Sequence, residues 1–122
     1  MMAKGRPIAP GDAARRDVTI LAIGEPDEWR RAGGILPSEN AIAFCTFEQV
    51  DEELLRRLRP TLVLSPVLAR RFDCIDLATR LHELGFREKY RAIASNMPNP
   101  EIIEREIRSL CPKLDFAVFQ AA

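Results

Sequence analysis

The sequence predicts one doubly wound α/β domain, and three observations carry that expectation. Apolar runs of strand length recur along the chain, beginning with Val18 to Ile23. Amphipathic helical segments stand between them, most opened or closed by a recognisable cap. The connections are short, and strand alternating with helix over short links is the pattern of a parallel sheet wound by right-handed crossovers. A chain of 122 residues has room for one such domain, with a core that needs neither disulfide nor structural metal.

Each element has a local reason. Met1 to Arg16 is rich in Gly, Pro, Ala and basic residues, follows neither period, and is expected to be a flexible N-terminal arm, leaving residues 17 to 122 for the domain. The β-branched apolar run Val18 to Ile23 ends at Gly24 and suits a strand covered on both faces. Between Gly24 and Asn40, Gly33, Gly34 and Pro37 limit any helix to about two turns starting near Pro26. Ala41 to Phe47 reads as the second strand. Thr46 with Gln49 has the spacing of a capping box, opening a helix with Val50, Leu54 and Leu58 on one face and Pro60 at its end.

Thr61 to Leu64 is the third strand, with Pro66 breaking the pattern after it. Leu77, Leu81 and Leu84 form the next helical stripe, Gly85 supplies a left-handed cap, and Phe86 is placed to pack back. Tyr90 to Ser95 is the fourth strand. Asn99-Pro100-Glu101 then provides an N-cap, a first-turn proline and an acid that complements the dipole of a helix carrying Ile103, Ile107 and Leu110. Pro112 closes that helix, and Leu114 to Phe119 is the fifth strand. No fifth helix is expected after it.

Charge and composition exclude several classes of function. With 18 Lys+Arg against 18 Asp+Glu, the chain lacks the basic field on which nucleic-acid binders depend, so no nucleic acid is expected. Its longest apolar run falls far short of the roughly 20 residues that cross a bilayer, so no membrane partner is expected either. Cys45, Cys74 and Cys111 are odd in number and widely spaced, which fits reduced thiols in the cytoplasm and offers no metal or redox pair. Asp73 and Asp76 flank Cys74 and oppose a reactive thiolate. With His82 the only histidine, no nucleophile–base pair can be assembled, and no cofactor is implied.

Arg59 to Ser65, Phe72 to Phe86 and Ala92 to Ser95, in this order and spacing, resemble the middle of a response-regulator receiver domain. The similarity extends from about Asp17 to Phe119. The resemblance implies a five-stranded parallel sheet of order 2-1-3-4-5. It also implies a phosphoacceptor aspartate after strand three, an acidic pair holding magnesium after strand one, and a Ser or Thr and a Lys that read the phosphate. Pro66 stands at the phosphoacceptor position, or Ser65 if the alignment shifts by one residue. Gly24 and Glu25 take the place of the acidic pair, and Phe119, or Gln120 one residue on, that of the lysine; Phe119 reads as packing. Only Ser95 matches. Proline cannot attack phosphorus, and a serine without a neighbouring base is a weak nucleophile. One acid is too few for a tight magnesium site. A degenerate pseudo-receiver is therefore expected, with catalytic residues and metal ligands both absent.

A stunted first helix and a missing fifth leave one sheet face short of cover, while strands one, three and five are apolar at successive positions. The arm, the segment around Ile35 and Leu36, or a second protein chain are the candidates to cover it. A homodimer or a protein partner on that face is expected, with Trp29, Ile35, Leu36, Leu21 and Val118 as contact residues. The function expected is a phosphorylation-independent interaction or regulatory module of bacterial signal transduction. The alternative is a small-ligand binder using the crevice at the carboxyl ends of the strands.

Overall fold

The computed structural model describes residues 19–31 and 42–121; the expected arm at 1–16, Ile35 and Leu36 lie outside them. Elements follow in the order β1 (Ile20–Ile23), α1 (Pro26–Arg31), β2 (Ile42–Cys45), a 3-10 turn (Phe47–Gln49), α2 (Glu52–Leu58), β3 (Leu62–Pro66), α3 (Cys74–Glu83), β4 (Lys89–Ser95), α4 (Pro100–Leu110) and β5 (Asp115–Ala121). Every strand pair is parallel and the sheet order is β2-β1-β3-β4-β5, the doubly wound arrangement expected, with a first helix of only six residues. Strand order reverses between β1 and β3, and in such sheets the crevice for ligands opens at the carboxyl ends near that point.

The register sorts the apolar runs onto two faces. Leu21 lies beside Ala43 and Val63, and Val63 beside Tyr90, so these side chains share one face. That face receives Leu58 from α2, Leu77, Ala78 and Leu81 from α3 and Ile107 from α4, forming the larger core. Ile20, Ala22, Leu64 and Ile93 occupy the other face, where Trp29 of α1 packs on them. Two-sided burial is why β1 and β3 lack polar alternation. Among the described residues no helix is long and apolar enough to cross a membrane.

The end of α3 forms as expected. Phe86 N–H donates to Leu81 O at 3.0 Å and Gly85 N–H to His82 O at 3.1 Å, with Gly85 at φ +86°, where a Cβ would be strained. Other local expectations need correction. Thr46 and Gln49 open only the 3-10 turn, Thr46 N–H donating to Gln49 Oε1 at 2.8 Å. The backbone then extends at Val50, and Asp51 caps α2 afresh by accepting from Leu54 N–H at 2.8 Å. Two competing caps five residues apart divide the expected helix, and the break lets Val50 bury almost completely.

Pro66 ends β3 from within, paired with Ile93, and the ladder passes to Val67, whose N–H donates to Ile93 O at 3.0 Å. Asn99 precedes α4 in a left-handed conformation, φ +54°, and makes no side-chain cap; asparagine tolerates that region better than most residues. Leu110 was expected to face inward, but as the last residue of α4 it is half exposed, and Cys111 and Leu114 fill the core beyond it.

Truncation of Ile107 to alanine is expected to cost about 2–5 kcal/mol, as for other large aliphatics in a packed core. Leu110→Ala is expected to change stability by no more than about 0.5 kcal/mol. Urea unfolding midpoints of the two variants check the assignment of the buried face of α4.

Candidate functional site

The site is built at the carboxyl ends of β1, β3 and β4. Gly24 leaves β1 with φ +140°, and its N–H donates to Cys45 O at 3.0 Å. A Cβ at this position would lie 3.4 Å from both Pro66 Cδ and Trp29 Nε1. Close approach and a conformation rare for L side chains therefore favour glycine where the resemblance implies an acid.

Pro26 starts α1 with its ring in the position where a missing N–H costs nothing, and Glu28 follows in the first turn. Glu28 Oε1 accepts the Glu25 N–H at 3.0 Å, and Oε2 accepts the Arg70 N–H at 2.6 Å. Glu28 is buried, and its two backbone hydrogen bonds are what a buried carboxylate requires. Asp27 grips the Arg70 guanidinium at 2.7 and 3.2 Å, a contact that raises the arginine pKa, chiefly through the hydrogen bond itself. One short helix thus ties down the loop from β3 to α3 through both its backbone and its side chain.

Ser65 does not face this crevice. It is fully buried on the helix-covered face, donating from Oγ to Pro66 O at 2.8 Å and meeting Tyr90 Oη at 2.7 Å. Either hydroxyl can be the donor between the two. Burial pushes the Tyr90 phenol well above its ordinary pKa, while its hydrogen bond with Ser65 works the other way. A serine held in this manner has neither access nor a base.

Of the residues singled out for the pocket, Pro66 and Ser95 line a cavity of about 360 Å³, together with Glu28, Leu68, Ile93 and Met97. Gly24 packs behind it against Pro66, and Glu25 joins through its N–H to Glu28. Phe119, expected to be packing, is instead 54% exposed on edge strand β5, beside Ile93.

Sequence reasoning missed Glu28 and Arg70. A signal for Glu28 was present, since an acid three residues after Glu25 and two after Pro26 is the second half of a capping box. Arg70, 42 residues further on, carried none.

The expected contact residues are redistributed too. Leu21 is fully buried in the larger core and Val118 packs against it, because the parallel register turns both toward the helices. Neither can serve as a contact on the face expected to be short of cover. Trp29 is 3% exposed and is itself cover for that face. Its large exposed apolar groups are Phe44 on β2 and Phe119 on β5, which share the side of Ala22 and Ile93 respectively.

Burial disfavours the thiolate form of Cys45, Cys74 and Cys111. Burial, and secondarily the Asp73 charge, pushes Cys74 up to about 12; burial, then Asp51, does the same to Cys45. Asp73 and Asp76 are occupied with each other's backbone N–H groups at the start of α3, at 2.9 and 3.1 Å. Among the described residues no three His, Cys, Asp or Glu side chains gather so as to hold a metal ion. No protein-family model and no curated protein sequence matches the chain.

Two outcomes follow from this geometry. Ser65→Ala should cost about 1–3 kcal/mol in urea unfolding, since it leaves the Tyr90 hydroxyl buried and unpaired. A thiol pKa higher in the folded chain than the ordinary 9.0 means that the native state holds its proton more tightly. The contribution of the two thiols to stability is therefore expected to be full below pH 9 and to decline as pH rises toward 12, a trend that unfolding midpoints measured across this range should show and that Cys45→Ala should reduce.

Proposed function

We propose that the chain is a receiver-like module without catalytic activity, acting in the cytoplasm by binding a protein partner or a second copy of itself and independent of phosphorylation. The observation that carries this reading is the end of β3, where Ser65 is buried on Tyr90 and the next residue is a proline. A phosphoryl group has no carboxylate to accept it there, while the sheet order is the one the receiver resemblance implies.

The crevice is occupied by structural tasks that phosphorylation chemistry would require to be free. Glu28 holds two backbone N–H groups, and Gly24 replaces a metal-ligating acid. Signalling through such a module falls to its surface. Phe44 at 52% and Phe119 at 54% exposure, both on the sheet face carrying only the short α1 among the described elements, are the groups best suited to contact.

Incubation with acetyl phosphate and magnesium, followed by intact-mass spectrometry, is expected to give no phosphoadduct; stoichiometric acyl phosphate would refute the reading. Sedimentation and pull-down from the source cells are expected to reveal self-association or a bound protein that Phe119→Ser or Phe44→Ser removes. A monomer whose protein associations survive both substitutions contradicts this choice of surface.

A further inference from the structure

The cavity at the strand ends has a composition unlike a phosphate site. Its walls are Pro66, Leu68, Ile93 and Met97, and its polar residues include Ser95 and Glu28. Its volume, about 360 Å³, falls within the range of small-molecule sites, which are mostly apolar with a few placed polar groups.

Among the described residues, Glu28 is the only ionisable one lining it. Each of its oxygens accepts one backbone N–H and retains a further lone pair. Glu25 adds negative charge at the same helix start, while Asp27 and the nearby Arg70 guanidinium are engaged with each other in a bidentate pair. Among the described residues that line the walls, none carries a cationic side chain to receive an anion. We propose that this cavity binds a small organic cation: a compact aromatic or branched apolar body inserted between Pro66, Ile93 and Met97, with an ammonium or amidinium end directed to Glu28.

The attraction of a charge-assisted hydrogen bond supplies the selectivity, and the apolar walls supply the remainder of the binding. The same carboxylate repels phosphate and carboxylate ligands. Phe119 of the proposed contact surface stands beside Ile93 of the cavity wall, but probe binding is read on the chain alone, so either proposal can fail without the other.

Three probes of nearly identical shape separate the contributions: benzamidine, benzamide and benzoate, titrated into the full chain and followed by amide ¹H–¹⁵N spectra. Benzamidine is expected to bind saturably, shifting the amides of Val67, Leu68, Ser95 and Met97, about tenfold more tightly than benzamide, with benzoate weakest. Ser95→Phe, at the exposed end of β4, should fill the mouth and abolish binding with the unfolding midpoint unchanged. Glu28→Gln should reduce benzamidine to the affinity of benzamide. If that variant does not fold, the probe series on the natural chain and Ser95→Phe still decide the matter. Absence of saturable shifts, equal affinity for all three probes, or benzamidine binding retained by folded Ser95→Phe would each overturn the proposal.

Discussion

The hydrogen bond between Ser65 and Tyr90 sets the parity of β3, and the character of the site follows from that parity. Successive side chains of a strand point to opposite faces, so a serine committed to the helix-covered side turns the next residue to the other. That residue is Pro66, which faces Gly24 and the cavity. The strand therefore presents an inert ring at its carboxyl end, and its hydroxyl is buried 25 residues away in sequence from the tyrosine that holds it. Both groups are satisfied, which is the condition on which a polar pair survives in a packed core.

The acidic helix start works in the same spirit. Glu28 and Asp27 fasten the β3–α3 loop, using Arg70 as the anchor. A six-residue helix has little intrinsic stability, and the tie gives it tertiary support at the end where its backbone N–H groups need partners. The outcome is a crevice closed by hydrogen bonds on one side and walled by apolar groups on the other.

Much of the fold was legible because the signals were local. Gly85 and Phe86 announce the end of α3, Pro100 the start of α4, and each strand lies close to its apolar run. Facing directions were not legible. Leu62, Val63 and Leu64 are all apolar, so nothing in the sequence separates the side that Tyr90 shares with Val63 from the side that Trp29 shares with Leu64. The misassignment of Leu21 and Val118 to an open surface has this cause, and so does the placement of Ser65 in the crevice. Helix boundaries failed where two caps competed, at Thr46 and Asp51. Arg70 escaped notice because its partners are set by the tertiary arrangement of α1 over the β3–α3 loop.

The most direct test of the central claim is a crystal structure of the chain grown with magnesium and beryllofluoride, a mimic of a phosphoryl group on a carboxylate. The expected structure keeps the Ser65 hydroxyl on Tyr90, keeps Glu28 on the N–H groups of Glu25 and Arg70, and binds neither component at the end of β3. Beryllofluoride attached at Ser65, or magnesium coordinated by Glu25 or Glu28 with the Arg70 loop released, would contradict it.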